Sequence, residues 1–336
     1  MKKIHKELIL ASAGSTAVTL VALFLIPIFI LSFFHAEKLP LNEKDAPINR
    51  IKPPKTVQVY ITSSKTVQNI GFEDYVTGVV AAEMPSSFEP EALKAQAVAA
   101  RTYSLSKVLR SGDGGFPDAH PAAALCDDVH CQAYRSKEAL AAQKGAAWME
   151  TGYRKIQKAV SDTKGEMMYY DGALVSQALF HSSSGGRTEN SEDVFASTVP
   201  YLRSVDSPYE EGATHKNEQV TLSLLELSSK LNSAFQNRGT GNFTASDISV
   251  SSRTEGGNVA CFTVGKASYT GREIRTALNL ASSDFTVAAS GESVTFTTNG
   301  YGHGVGMSQY GANGMAKEGY TYKEILAHYY TGIRVL

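Results

Sequence analysis

Between Leu8 and Phe34 the chain carries no charge and is rich in Leu, Ile, Val, Ala and Phe. About 20 apolar residues suffice to cross a bilayer, so this run predicts a transmembrane helix and leaves the rest of the fold to the residues after it. Lys2, Lys3 and Lys6 precede the run and only Lys38 follows closely. The positive-inside rule then puts residues 1–7 in the cytoplasm and the bulk of the chain outside. A cleavable signal peptide is the competing reading. It is weaker, because the run is long and Phe-Phe-His-Ala is a poor small-residue cleavage site. Pro27 can kink such a helix without breaking it. The expectation is a single-pass membrane protein with its anchor at 8–34. Residues 35–54 hold Pro40, Pro47, Pro53 and Pro54 among charges and read as an extended linker.

At 336 residues the chain is longer than one typical domain requires. The formal net charge of -1 offers no basic field, so a nucleic-acid partner is not expected. A polysaccharide is compatible with this balance, since sugars are held by hydrogen bonds and ring stacking. The 16 tyrosines suit such a surface, although packing accounts for most tyrosines in most proteins. Cys126, Cys131 and Cys261 are too few for a disulfide-rich scaffold.

Val57, Val59 and Ile61 alternate with polar residues as a strand does. Phe72, Val76, Val79 and Glu83 then follow the spacing of one helix face, which Pro85 ends. A second helix starts at Pro90 and stops before Gly112. On it Lys94, Val98 and Arg101 share a face, so two cations can point to one place. Gly112–Ala133 reads as loop, and Ser136–Thr151 as helix. Glu166–Tyr170 and Ala173–Phe180 read as a hairpin turned by Asp171-Gly172. A polar loop, His181–Arg187, follows. Residues 214–290 look like a separate module. It holds a helix over Leu222, Leu225 and Ser229, strands around Ile248, Val250 and Val259–Val264, and a helix at Gly271–Leu278. Cys261, in a predicted strand, is expected to be a small buried hydrophobe. Gly300–Ala312 is glycine-dense, and a helix spans Tyr322–Tyr330.

Glu83 is the leading catalytic candidate. A carboxylate on an apolar face loses hydration, and the helix C-terminus adds partial negative charge; both raise its pKa. A carboxyl protonated near neutrality is what a general acid needs to protonate a glycosidic oxygen. The alternative is a glutamate that turns to solvent at a frayed helix end. A serine hydrolase is a poor fit, because His181-Ser182 lacks the G-x-S-x-G context.

Four blocks in order carry a resemblance: Ala82-Glu-Met-Pro85, Lys94-Ala-Gln-Ala-Val-Ala-Ala-Arg-Thr-Tyr103, His181-Ser-Ser-Ser-Gly-Gly186 and Gly302-His-Gly-Val-Gly-Met-Ser-Gln-Tyr-Gly311. Together they resemble the stage II sporulation protein D family, to which the amidase-enhancer proteins are related. The resemblance covers almost everything after the linker. It implies a lytic transglycosylase that cleaves peptidoglycan glycan strands, stripped of stem peptides, to 1,6-anhydro-muramic ends during engulfment. It implies a place in the mother-cell membrane, with a sporulation amidase and a further membrane protein as partners. It makes Glu83 the acid and then the base. It places Lys94, Gln96 and Arg101 near the groove, and Arg101, whose guanidinium offers several fixed donors, is the best suited of these to a structural or substrate clamp. Ser182, Ser183 and Ser184 are candidates to bond sugar hydroxyls or Glu83, and His303, Gln309 and Tyr310 are candidate groove residues whose surrounding glycines allow close backbone approach to sugar. Turn hydrogen bonding, ion pairing or a tight fold are the plain alternatives for these residues. A second functional class stays open: a non-catalytic glycan-binding activator of an amidase.

The spacing His120-x5-Cys126-x3-His130-Cys131 sets four borderline ligands within twelve residues, which suits tetrahedral zinc. Adjacent His130 and Cys131 need a bent loop for both to ligate. A Cys126–Cys131 disulfide or inert thiols are the alternatives. The resemblance supports zinc, since some family members carry a metal in this region; its role is either structural or, at the border of the cleft, to position substrate. No H-E-x-x-H pattern is present, against a metallopeptidase.

The fold expected is α/β of the α+β type, two lobes with a central groove. Residues 55–213 with 291–336 would form the catalytic lobe, and 214–290 an inserted second lobe.

Overall fold

A computed structural model of the chain describes residues 48–112 and 115–336. The expected cytoplasmic tail, the anchor at 8–34 and most of the linker lie outside the described residues. Among the described residues no helix is long and apolar enough to cross a membrane. The fold is a mixture of helices and small sheets.

β1 (Thr56–Ile61) and β2 (Thr66–Gly71) form an antiparallel hairpin. Val57 and Val59 bury one face of β1, as period-two alternation requires. α1 (Phe72–Glu83) follows and buries Phe72, Val76 and Val79. Met84 is already extended, at φ -122° and ψ 142°, because the ring of Pro85 disfavours helix at the residue before it. α2 (Pro90–Ser111) opens with proline at its first turn, where the missing N–H costs nothing. Ala92, Ala95, Ala97, Ala99 and Ala100 are wholly buried. Their small side chains let α1 and the helices Arg154–Asp162, Gln309–Lys317 and Tyr322–Tyr329 all pack on α2.

β3 (Leu125–Cys126) runs parallel to β1. α3 (Lys137–Lys144) is capped by the Ser136 hydroxyl, which accepts from the Ala139 N–H. The single helix expected over Ser136–Thr151 is interrupted at Gly145, which sits at φ 81°. It restarts as a short α-helical segment at Ala146–Trp148, passes through a π-helical turn at Met149–Tyr153 and continues as α4 (Arg154–Asp162). β4 (Met168–Tyr170) and β5 (Ala173–Leu174) make the expected hairpin, with Asp171 and Gly172 both at positive φ. Its second strand stops at Leu174 rather than running to Phe180. β6 (Phe180–His181) pairs instead with a distant partner.

A second hydrophobic cluster, separate from the first one built around α1 and α2, gathers Leu227, Leu231, Phe262, Ile274, Phe285 and Phe296. Around it lie β7 (Lys216–Ser223), α5 (Leu224–Ala234), β8 (Ile248–Arg253), β9 (Val259–Val264), β10 (Ala267–Tyr269), α6 (Gly271–Leu278), β11 (Phe285–Ser290) and β12 (Ser293–Asn299). The strands form two three-stranded sheets, β10-β9-β8 and β11-β12-β7. The expected helix over Leu222–Ser229 begins at Leu224, behind a Ser223/Glu226 capping box, while Leu222 belongs to β7. Residue 290, the expected end of the inserted segment, is the last of β11. Cys261 is half-buried in β9, not in the core as expected, because alternate residues of that strand face outward.

The chain then returns to the first cluster. β13 (Met307–Ser308) pairs in parallel with β6. α7 (Gln309–Lys317) and α8 (Tyr322–Tyr329) follow, and β14 (Arg334–Val335) joins β4.

Candidate functional site

Glu83 is the last residue of α1 and is half-buried. The Ala133 N–H donates to its Oε1 at 2.8 Å, and Gln309 Nε2 donates to Oε2 at a longer 3.4 Å. Burial raises the pKa of the carboxyl, and the two donors pull against it. A half-buried, protonatable carboxyl with both oxygens aimed by donors is equipped to give up a proton and take one back.

Ala133 was not anticipated, since a backbone donor leaves no signature in side-chain identity. Its position is set by the strap around it. Tyr134 stacks on Tyr75 of α1 at 5.1 Å between ring centres. Gln132 is buried and donates to Ser104 Oγ on α2 at 2.9 Å. A Cβ at Gly78 would lie 2.4 Å from the Tyr134 ring and 2.5 Å from the Arg135 carbonyl. The glycine on α1, between buried Thr77 and Val79, is the sequence trace of this close approach.

Gln309 reaches Glu83 because β13 places it at the start of α7, where the Ser308 hydroxyl caps the helix. The preceding glycines serve the fold. Gly306 lies at φ 74°, and a Cβ there would meet the Leu179 carbonyl at 2.1 Å. The close approach that sequence offered to a sugar is taken by the chain's own 179–185 segment.

The three serines divide. The Ser182 carbonyl accepts from the Tyr310 N–H at 3.0 Å, which ties this loop to the residue beside Gln309. Ser183 is buried and exchanges backbone hydrogen bonds with Tyr301, and among the described residues its hydroxyl has no partner. Ser184 donates to Glu210 Oε1 at 2.7 Å, in a buried network with Ser207 and Tyr329. Neither buried hydroxyl is bonded to Glu83. His303 packs against His181 and Phe195, and its Nδ1 accepts from the Val305 N–H. Burial pushes His181 down to about 3 and His303 down to about 4, so both rings are neutral. Tyr310 meets Phe88 edge-on at 5.0 Å.

Lys94 and Arg101 do share a face, and that face turns toward α4. Lys94 pairs with Glu91 at 2.7 Å and approaches Asp162 at 3.9 Å. Arg101 is wholly buried; it pairs with Glu73 at 2.7 Å and donates to the carbonyls of Val160 and Glu166. With its donors spent inside the protein, Arg101 holds α1, α2 and α4 together, the structural side of the expected structural or substrate clamp. Gln96 is also wholly buried, and among the described residues neither of its amide atoms has a partner.

His120, Cys126, His130 and Cys131 converge, their ligand atoms all within 4.8 Å of one another. His120 Nδ1 lies 2.7 Å from the Ala123 carbonyl. With a proton there, Nε2 is left as a lone pair facing His130 Nδ1 at 2.9 Å and Cys131 Sγ at 3.4 Å. The bend that lets adjacent His130 and Cys131 both turn inward is closed by the Cys131 N–H donating to the Asp128 carbonyl. Both cysteines are free thiols, so the disulfide alternative is not formed. The Cys131 thiol is held below the usual range by hydrogen bonding from Cys126, helped by the nearby Lys107 ammonium. Two nitrogens and two sulfurs, one a ready thiolate, fit a borderline divalent cation. The cluster can hold a metal.

A family model described as "Stage II sporulation protein" matches residues 60–170. The chain is 40% identical over 283 residues to "Stage II sporulation protein D" of Bacillus subtilis, covering 84% of this chain and 79% of the relative. It is 40% identical over 284 residues to the protein of the same name in Bacillus amyloliquefaciens, with the same coverage. It is 32% identical over 303 residues to an "Amidase enhancer" of Bacillus subtilis, covering 76% of this chain and 39% of that protein.

Proposed function

The chain belongs to the stage II sporulation protein D family, and from that premise we propose that it is a membrane-anchored lytic transglycosylase acting on peptidoglycan outside the cytoplasm during sporulation. The observation that carries the reading is Glu83, half-buried at a helix end with Ala133 and Gln309 on its two oxygens. Protonated Glu83 donates to the glycosidic oxygen as the bond to the muramic C1 breaks. The C6 hydroxyl of the same sugar forms the new bond to C1, and the Glu83 carboxylate takes its proton. One carboxyl serves both steps because no water has to be activated. Hydrolytic glycosidases require a second carboxylate for that.

In this reading His120, Cys126, His130 and Cys131 hold zinc. The ion supplies a fixed crosslink for the 120–131 loop, two residues before Ala133. An amidase that removes stem peptides, and a further membrane protein, are the partners. The chain's likeness to an amidase enhancer favours a second reading, a glycan-binding activator in which Glu83 is dispensable.

The test is digestion of amidase-treated sacculi by the full chain and by Glu83→Gln, read by the mass of the released sugars. The expected result is a 1,6-anhydro product, reduced at least about 100-fold in the variant. A reducing-end product would mean a hydrolase. Glycan binding without any product would favour the activator.

A further inference from the structure

α6 carries two arginines one turn apart, Arg272 and Arg275. Among the described residues neither is paired with a carboxylate. Arg272 donates to the Val194 carbonyl at 2.8 Å and lies over the Phe195 ring at 5.4 Å. Arg275 is half-buried, and its one hydrogen bond among the described residues is a long one, 3.4 Å, from Nε to the Leu280 carbonyl. Burial lowers its pKa, which marks a cation short of compensation. A half-buried guanidinium with its fork free is suited to bind an anion, above all a planar carboxylate.

Both arginines face the segment that leads to Glu83. Phe195, under Arg272, meets His303 edge-on at 5.5 Å. Next to the carbonyl that Arg275 holds, the Ala281 carbonyl accepts from the Gly302 N–H at 3.1 Å. Tyr301 is 45% exposed, one side of its ring backed by His215 at 4.3 Å. From Tyr301 the contacts pass through Ser183 and Ser182 to Tyr310, beside Gln309 and Glu83. A sugar chain lying over Glu83 and extending along this segment would meet the Tyr301 face and then the two guanidiniums.

A peptidoglycan glycan offers one kind of anion, the carboxylate on the lactyl ether of each muramic residue. It is an anion only where no peptide is attached, since a stem peptide turns it into a neutral amide. We propose that Arg275, with Arg272 beside it and Tyr301 as the sugar platform, forms a subsite for the free lactyl carboxylate and so selects peptide-free strands. This rests on the glycan reading above and adds the residues that set its specificity.

The test is equilibrium binding, at low salt, of the full chain to peptide-free glycan strands and to the same strands with their lactyl carboxylates converted to primary amides. The wild type should bind the carboxylate form about tenfold more tightly, the scale of one charge-assisted pair. The preference should fall with added salt. Arg275→Gln should bring the ratio of the two affinities to about one, and Arg275→Lys should keep part of it. A wild type that binds both strands equally would overturn the inference while leaving the glycan reading intact. So would an Arg275→Gln chain that keeps the preference. A wild type that binds neither strand would overturn both. The wild-type comparison requires no variant to fold.

Discussion

Ala133 and Glu83 stand 50 positions apart, yet the N–H of one donates to the carboxylate of the other at 2.8 Å. The bond joins the end of α1 to the strap that follows the His/Cys cluster. It holds in place a carboxyl whose burial favours the protonated state.

That burial fixes a sign. A carboxyl with a folded pKa above its unfolded value binds more protons in the native state, so native stability falls as pH rises from about 4.5 through the raised folded value. Glu83→Gln lacks this loss. Its melting temperature should rise relative to the wild type as pH increases, with a larger difference at pH 8 than at pH 4. Melting curves that differ by the same amount at both values would contradict it.

Gln309 opposes the burial of Glu83. Gln309→Leu should therefore raise the Glu83 pKa further and carry the alkaline limb of the activity profile to higher pH. Rate against pH on peptide-free glycan reads the shift. A limb that stays in place while the maximal rate drops would mean that Gln309 acts elsewhere.

Arg101 has no solvent exposure and satisfies Glu73 and two carbonyls. Arg101→Ala should cost about 3 kcal/mol or more, since it strands a partly buried carboxylate and leaves a cavity. Urea unfolding measures this. A variant as stable as the wild type but slow in catalysis would restore the clamp.

Metal analysis of protein purified without added zinc should find one equivalent, lost in Cys131→Ser. Chelation should lower the melting temperature, because a structural ion contributes its binding energy to the native state alone. A chain that melts identically before and after chelation would refute a structural ion.

Gly306→Ala and Gly319→Ala separate strain from contact. Both positions have positive φ, 74° and 87°, but an added Cβ meets the Leu179 carbonyl only at Gly306. Gly319→Ala should cost about 1 kcal/mol, and Gly306→Ala clearly more. Equal losses would mean that the 179–185 segment yields freely.

The elements set by local rules were legible in the sequence. Phe72, Val76, Val79 and Pro85 define α1 and put Glu83 on its last turn. Asp171-Gly172 announces a turn, and four ligands within twelve residues announce a cluster. Each depends on the periodicity or backbone preference of neighbouring residues, and these act over a few positions. Long-range pairing was not legible. Nothing in Phe180-His181 says that it leaves its hairpin for Met307-Ser308, and nothing in Arg101 says that its guanidinium is enclosed by Glu73, Val160 and Glu166. The two donors on Glu83 come from positions 50 and 226 residues away, one of them a main-chain N–H that every residue but proline carries. Local sequence determined which carboxyl stands at the helix end. Only packing decided what surrounds it, because burial and hydrogen-bond partners are properties of the folded neighbourhood.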